Sequence, residues 1–263
     1  MDERLSAFGK LLDIMDELRE KCPWDKKQTL GSLRNLTLEE AYELADAIIK
    51  NDLDDIKKEL GDLLLHIVFY AKIGSELGSF DIKDVIDSIS EKLVYRHPHV
   101  FGNTIVTGED EVKENWEHLK ISESNKAVLS GVPASLPALI KANRIQDKVK
   151  GVGFDWEEKH QIWDKVMEEL QELKDEINIA DKSRIESEFG DLFFSLVNAA
   201  RLYGIDPETA LEKTNRKFTR RFNYLESRTM SIGRSLKSMS LDEMNLIWEE
   251  AKGFDNENET EKQ

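Results

Sequence analysis

Residues 38–48 read LEEAYELADAI and residues 167–177 read MEELQELKDEI, while residues 59–68 read ELGDLLLHIV and residues 188–197 read EFGDLFFSLV. One offset of 129 residues relates both pairs of segments. A fixed period that covers two separate motifs indicates an internal duplication. The sequence therefore predicts two homologous domains.

Apolar residues recur at steps of three and four along most of the chain, as in Leu5, Phe8, Leu12, Met15 and Leu18. This spacing is typical of amphipathic helices, and no segment alternates as a strand would. Cap residues and glycines set the expected helix ends, among them a capping box formed by Thr37 and Glu40. The predicted fold is all-α, with helices at about 37–49, 53–77, 82–95, 138–149, 157–178, 181–203, 207–226 and 241–252.

The segment 121–137 loses helical periodicity and gathers Ser, Gly and Pro, which is typical of a linker. We therefore expect an N-terminal domain over 1–120 and a C-terminal domain over 138–252. The last residues, 253–263, form an acidic tail that we expect to be flexible.

The composition excludes several classes of function. Of 263 residues, 37 are Lys or Arg and 53 are Asp or Glu, giving a net charge of −16. A surface this acidic argues against nucleic acid as a partner, because phosphate binding needs positive charge. No apolar run approaches a membrane span, and a single cysteine, Cys22, fits a reducing compartment. We expect a cytoplasmic protein without a membrane partner.

Two pairs of acids in the second half are the candidate metal ligands. Glu169 and Glu172 lie three residues apart on one predicted helix, and Glu188 and Asp191 lie three apart on the next. This spacing places each pair on one helix face, and antiparallel packing brings the two faces together. Four facing carboxylates repel one another unless cations compensate them. Oxygen ligands without His or Cys favour Mg²⁺, with Mn²⁺ as a possible substitute.

The first half repeats the acids, so a second metal site is possible there, at Glu40, Glu43, Glu59 and Asp62. A glycine precedes the last acid in each half, at Gly61 and Gly190. Because glycine has no side chain, we expect these positions to let the helices approach closely.

These motifs resemble the MazG family of nucleoside triphosphate pyrophosphohydrolases. The resemblance covers nearly the whole chain. Besides EExxE and ExxD, it includes CPWD at 22–25, YRHPHVFG at 95–102, VGFDW at 152–156 and WEEAK at 248–252. It implies tandem all-α domains of the four-helix-bundle type, usually assembled as a homodimer. It also implies Mg²⁺-dependent cleavage of (d)NTPs between the α- and β-phosphates, with Glu169, Glu172, Glu188 and Asp191 as catalytic metal ligands.

The two halves differ in their cations. The second half has Lys165, Arg184, Lys217 and Arg221 at positions where the first half has Leu36, Asp55, Arg96 and Val100. A triphosphate needs Lys and Arg donors as well as metal ions. We therefore expect the second half to be catalytic and the first to be structural or weakly active.

Lys217 and Arg221, together with three further residues, complete the predicted site. Lys217 and Arg221 lie one helical turn apart and suit a phosphate clamp. Trp248 either stacks on a base or packs in the core, and Lys252 lies one turn farther, near a phosphate. Glu168 either orients water or another side chain, or is simply solvated.

Three functions remain open at this point. The first is a house-cleaning enzyme that hydrolyses several (d)NTPs, and the second is a narrower enzyme of the dUTPase or phosphoribosyl-ATP pyrophosphohydrolase kind. The third is a helical nucleotide sensor or scaffold without catalysis. The retained Lys217, Arg221 and Trp248 favour an enzyme or a sensor over a scaffold.

Overall fold

A computed structural model describes residues 2–108 and 127–260, together with 111, 112, 115, 116 and 119. The chain divides into two compact units, Met1–Asn125 and Lys126–Gln263. Their boundary falls inside the segment 121–137 that the sequence predicts as a linker, of which residues 121–126 lie outside the described residues. The described residues form helices and turns without a strand, so the all-α fold is confirmed.

The first unit is built around a hairpin of two long helices. The helices are α1 (Glu3–Lys21), α2 (Leu30–Lys50), α3 (Leu53–Glu76), α4 (Ile82–Arg96) and the short α5 (Pro98–Phe101), with a 3₁₀ helix at Asp25–Lys27. The helix α3 contributes Val68, Phe69 and Ile73 to the core of this unit, against Met15 of α1 and Leu33 of α2.

The second unit repeats the hairpin. Ile162 and Val166 of its first long helix pack against Ala199 of its second. The helices are α6 (Ala138–Lys150), α7 (Gln161–Ile179), α8 (Lys182–Leu202), α9 (Pro207–Ser231) and α10 (Leu241–Thr260), with 3₁₀ helices at Val128–Gly131 and Leu236–Ser238. Within the described residues, no helix is both long and apolar enough to cross a membrane.

Both hairpins turn in the same way. Asn51 at the end of α2 adopts the left-handed conformation, with φ 56°, and the Asp52 carboxylate then accepts hydrogen bonds from the first turn of α3. Ala180 has φ 62°, and Asp181 caps α8 in the same manner. A two-residue connection makes the helices antiparallel neighbours. The duplication therefore extends to the backbone of the turn.

Several predicted caps are confirmed. Asp81 caps α4, Asp206 caps α9, and Ser240 forms a capping box with Glu243 at the start of α10. The helix α10 continues to Thr260, beyond the predicted end at 252 and through most of the segment expected to be flexible.

The predicted capping box at Thr37 and Glu40 is wrong. The helix α2 begins earlier, where Thr29 and Ser32 form the capping box. Thr37 lies inside the helix, where its hydroxyl donates to the Leu33 carbonyl at 3.0 Å. A threonine can bond the preceding turn in this way without ending a helix.

The expected role of the two glycines is also wrong. A Cβ atom built at Gly61 or Gly190 meets no atom within 4 Å, and both residues are exposed. The hairpin helices therefore approach each other through other residues, and these glycines lie on an open face.

Candidate metal and phosphate site

Three acids of the second unit converge between α7 and α8. Glu169, Glu172 and Glu188 each offer a carboxylate oxygen, and these oxygens lie within 4.8 Å of one another. Glu169 is buried, Glu188 is half-buried and Glu172 is exposed. This acid group has the composition expected of a site for a hard divalent cation.

The spacing of the acid group fits one ion after a small adjustment. Because Mg²⁺ binds oxygens at about 2.0–2.1 Å, two ligands on opposite sides of the ion are about 4.2 Å apart. The oxygens of the group already lie within 4.8 Å of one another. Neighbouring ligands of an octahedral ion are only about 2.9 Å apart, so side-chain rotations that bring the oxygens up to about 2 Å closer would place them in ligand positions.

Neighbouring charges confirm that the acid group carries excess negative charge. Partial desolvation, and then the charges of Glu169, Glu168 and Glu188, raise the pKa of Glu172. Lys165 reaches into the group, where its Nζ atom lies 2.8 Å from Glu169 and 2.9 Å from Glu168. These two hydrogen bonds raise the pKa of Lys165. The positive charge of Lys165 thus offsets only part of the negative charge of the acid group and the adjacent Glu168.

Asp191, the fourth predicted ligand, lies outside the converging oxygens. It is exposed on α8, three residues beyond Glu188 and on the same side of the helix. The structure therefore brings together three of the four predicted metal ligands in the second unit.

The first unit has an equivalent group at Glu40, Glu43 and Glu59, with oxygens again within 4.8 Å of one another. Glu59 is only 2% exposed. Its Oε2 atom is buried without a hydrogen-bond partner among the described residues. Burial, and then the charges of Asp62, Glu43 and Glu59, raise the pKa of Glu40. A buried carboxylate oxygen without a hydrogen-bond partner fits the ligand set of a cation.

The acid group of the first unit has a cation that was not among the predicted site residues. Lys58 donates to Oε1 of Glu59 at 2.6 Å, from the position directly before that acid. The repeat gives no signal for this lysine, because the second unit has Ser187 at the position of Lys58. The signal in the sequence is a lysine directly before a predicted metal ligand.

The remaining predicted cations of the second unit lie on three helices, α8, α9 and α10. Arg184 is at the hairpin turn, 3.6 Å from Glu176 and 3.7 Å from Asp181. Lys217 is exposed on α9, and Lys252 pairs with Glu249 at 2.5 Å on α10.

Arg221 and Trp248 are in contact. The Arg221 guanidinium lies 5.9 Å from the centre of the Trp248 ring, within the range of a cation–π interaction. The same ring is 5.1 Å from that of Phe218. Trp248 is therefore half-buried between α9 and α10, where it holds the guanidinium in place.

A cavity of about 480 Å³ opens beside the acid group of the second unit. It shares Lys165 and Glu168 with that group and extends to the VGFDW segment. This segment carries part of the family resemblance in the sequence, but none of its residues belongs to the predicted site. The other lining residues include Asp155, Trp156, Gln161 and Asp164.

Comparison with known proteins identifies the family. Residues 28–101 and 157–225 match the MazG nucleotide pyrophosphohydrolase domain, one segment in each unit. The chain belongs to the MazG family. Each matched segment contains one acid group, so the family domain and the converging carboxylates coincide. The resemblance deduced from the motifs is thus confirmed.

Two full-length relatives of this MazG-family chain have named activities. The nucleoside triphosphate pyrophosphohydrolase of Escherichia coli K12 is 41% identical over 257 residues, covering 94% of this chain and 98% of the relative. The nucleoside triphosphate pyrophosphohydrolase/pyrophosphatase MazG of Thermotoga maritima is 42% identical over 260 residues, covering 97% and 99%. A crystal structure of a mazG-related protein from Thermotoga maritima aligns with 43% of this chain and 97% of its own length, at 28% identity and a TM-score of 0.38.

Proposed function

We propose that this MazG protein hydrolyses several (d)NTPs between the α- and β-phosphates and releases a (d)NMP and pyrophosphate, as a house-cleaning enzyme of the cytoplasm. The observation that carries the proposal is the convergence of Glu169, Glu172 and Glu188 beside Lys165. The activity named for two relatives that match nearly the whole chain supports it.

The acid group of the second unit would hold Mg²⁺, or Mn²⁺ in its place. Glu169, Glu172 and Glu188 supply the converging oxygens, and Asp191 completes the set from the same side of α8. A bound Mg²⁺ supplies a Lewis acid for phosphate oxygens and lowers the pKa of a coordinated water. The carboxylates repel bare phosphate, so a triphosphate enters this site only together with its cations.

Lys165 would have different partners when the site is free of a cation and when a cation is bound. Without a cation it is shared between Glu169 and Glu168. When Glu169 ligates a cation, Lys165 loses one of these two partners and turns its charge to a phosphate oxygen. Glu168 keeps the ammonium group oriented, which gives this exposed glutamate a positioning role.

Arg184, Lys217, Arg221 and Lys252 would bind the remaining phosphate oxygens. Water attacks the α-phosphorus, the bond to the bridging oxygen of the β-phosphate breaks, and pyrophosphate leaves with the added negative charge. A fixed guanidinium meets that charge best, since its planar fork donates two hydrogen bonds. Contact with Trp248 keeps the Arg221 guanidinium in one orientation.

Product analysis tests this proposal against its alternatives. The purified chain is incubated with each (d)NTP and Mg²⁺, and NMP, NDP, pyrophosphate and phosphate are resolved at early times. We expect NMP and pyrophosphate from several nucleotides, and none in EDTA. Hydrolysis of dUTP alone, or of phosphoribosyl-ATP alone, would identify the narrower enzyme. Binding without products would identify a sensor, and NDP with phosphate would contradict the proposed bond cleavage.

We also propose that the active form is a homodimer. The exposed side of α8 carries an apolar stripe, Phe189, Phe193 and Leu196, and α3 carries Leu60, Leu64 and Ile67 at the matching positions. An apolar stripe that recurs in both hairpins is typical of a face covered by a second copy. Sedimentation should give the mass of two chains. The variant Phe193→Glu should shift that mass towards one chain, while Met230→Glu, at an exposed position of α9, should not.

A further inference from the structure

We propose that Glu176 is a positioning residue of the second unit, which holds the Arg184 guanidinium beside the acid group so that it receives a phosphate oxygen. Glu176 lies on α7 and Arg184 on α8, on either side of the hairpin turn. The inference rests on the proposed function, because it assumes that Arg184 binds a phosphate of the nucleotide.

The register of the hairpin places this pair directly beside the acid group. Glu172 and Glu188 of the acid group lie eight residues before and after Ala180 at the turn. Glu176 and Arg184 lie four residues before and after the same residue. Residues equally far from the turn of an antiparallel hairpin face each other, so this pair forms the next layer, one helical turn or about 5.4 Å from the acids. A guanidinium at that distance can reach a phosphate held by a cation in the acid group.

The Arg184 guanidinium is oriented by charge, and its donors remain available. Its Nη1 atom lies 3.6 Å from Oε1 of Glu176, and its Nε atom lies 3.7 Å from Oδ2 of Asp181. Both distances are longer than a hydrogen bond, and the side chain of Arg184 is 64% exposed. The five N–H donors of a guanidinium lie in one plane, so it can face a carboxylate with one edge and a phosphate with another.

Of the two carboxylates beside Arg184, Asp181 has a structural task. Its Oδ1 atom accepts hydrogen bonds from the backbone N–H groups of Ser183 and Arg184, at 3.0 and 3.4 Å, and so caps α8. Asp52 caps α3 in the same way in the first unit. Asp181 is therefore explained by the turn that both units share, and this explanation does not extend to Glu176.

Glu176 has a cost to stability that packing does not explain. Its side chain is 20% exposed, and its Oε2 atom is buried without a hydrogen-bond partner among the described residues. A buried carboxylate oxygen without a partner destabilises the fold. The first unit avoids this cost, because it has the fully buried Ala47 at the matching position. A residue that breaks the rules of packing beside a candidate site is typical of function.

Comparison of the two units supports the pairing of Glu176 with Arg184. The first unit has Ala47 and Asp55 at the two positions, so both members of the pair are absent there. A glutamate in place of Ala47 would face Asp55 and repel it. A glutamate is therefore favourable at this position only where an arginine faces it.

The sign of a change in affinity tests the proposal. Removal of a carboxylate near a triphosphate should strengthen binding if charge alone matters, whereas loss of the orientation of Arg184 should weaken binding. The Kd of α,β-methylene-ATP, which resists the proposed cleavage, is measured by calorimetry with Mg²⁺ for the full-length chain and its variants. We expect Glu176→Ala to weaken binding by about fivefold. Glu176→Gln should weaken it less, since the amide keeps an acceptor oxygen at the same place.

A matched variant controls for the loss of charge. Asp175 is exposed on α7, where it accepts a hydrogen bond from Gln171 at 2.9 Å. Asp175→Asn removes the same charge from the neighbouring position, which faces away from Arg184. It should leave the Kd unchanged or lower it slightly.

A double-mutant cycle shows whether Glu176 acts through Arg184. Arg184→Ala should weaken the analogue by about tenfold, as expected for the loss of one charge-assisted hydrogen bond. Adding Glu176→Ala to Arg184→Ala should have little further effect. If the two residues acted independently, their effects on the Kd would multiply.

Thermal melting in EDTA separates positioning from a structural role. The Tm of Glu176→Ala should not fall, because the variant removes a buried oxygen that has no partner among the described residues. The inference is overturned if Glu176→Ala binds the analogue as tightly as the wild type or more tightly, or if the two effects in the cycle multiply.

Turnover of ATP is assayed in parallel, which keeps the two proposals distinguishable. Absence of AMP and pyrophosphate would contradict the proposed activity, whereas the Kd values test the role of Glu176 independently of turnover.

Discussion

Glu172 illustrates how a single residue of the acid group sets the behaviour of the metal-free protein. Its pKa is raised by desolvation and by the neighbouring carboxylates, so the folded chain binds this proton more tightly than the unfolded chain. The free energy of unfolding therefore falls as the pH rises through the interval between the unfolded and the folded pKa. Full destabilisation is reached above the folded pKa.

We expect Glu172→Gln to raise the Tm of the metal-free chain at pH 7, and to raise it more at pH 7 than at pH 4. Thermal melting in EDTA across this range measures both effects. Glu186→Gln is the matched control, because Glu186 is exposed on α8 outside the acid group. In Mg²⁺ the order should reverse, since the variant lacks a ligand and gains less stability from the ion. Equal Tm values for Glu172→Gln and the wild type in EDTA would contradict the electrostatic account.

Substitution of Arg221, again a single residue, tests the proposed phosphate clamp. Its guanidinium contacts Trp248 and is half-buried, whereas its neighbour Arg220 is exposed. We expect Arg221→Ala to lower kcat/KM by about 10²–10³, as when one donor to the transition state is removed. Arg221→Lys should recover part of this loss, because lysine supplies charge without the planar fork.

Steady-state kinetics, with thermal melting as a folding control, measures the effect of these variants. Arg220→Ala should retain kcat/KM within about threefold, since a surface substitution away from the site has little effect. An Arg221→Ala variant with near wild-type kcat/KM would show that the clamp lies elsewhere.

The hairpin turn is an element whose two copies differ in a measurable way. Asn51 and Ala180 both adopt the left-handed conformation. This conformation costs about 1–2 kcal/mol for most residues, and less for Asn. We expect Ala180→Asn to stabilise the chain and Asn51→Ala to destabilise it, each by roughly 0.5–1 kcal/mol. Urea unfolding measures both variants. Destabilisation by Ala180→Asn would show that the turn has another conformation.

Much of the element structure could be predicted from the sequence, because helix periodicity and caps are local signals. Asp81, Asp206 and Ser240 cap helices in the structure as their positions indicate. Thr37 misled the prediction since its hydroxyl lies 2.7 Å from both His66 and Tyr70, which belong to a different helix. Such tertiary contacts have no local signature.

The candidate site could likewise be predicted only in part from the sequence. The repeat with its i, i+3 spacing predicted the converging Glu169, Glu172 and Glu188. It could not predict that Asp191 lies outside the group, because side-chain direction depends on packing. The cavity at Trp156 could not be predicted either, because the path of the chain before α7 brings this residue beside the helix.

At the scale of the whole molecule, the duplication has kept the acids and changed the cations around them. Both units retain three converging carboxylates. Each unit has one lysine on its buried acid, Lys165 on Glu169 in the second and Lys58 on Glu59 in the first. The second unit has in addition Arg184, Lys217 and Arg221, where the first has Asp55, Arg96 and Val100. A triphosphate needs several cationic partners, so the first unit is the weaker candidate for turnover.

Matched double variants test this asymmetry. We expect Glu59→Gln with Asp62→Asn to retain most of the (d)NTP turnover, because the second unit keeps its ligands and its cations. The matching change, Glu188→Gln with Asp191→Asn, should abolish turnover while the helical fold remains.

Initial rates with Mg²⁺ measure turnover, and circular dichroism verifies the fold. The first-unit variant also removes a buried carboxylate whose Oε2 atom has no partner among the described residues. Its Tm in EDTA should therefore not fall, since a neutral amide relieves the repulsion among the acids, and Lys58, which loses its partner, is exposed to water. If both double variants were equally inactive, the missing cations would not distinguish the units, and catalysis would require both acid groups.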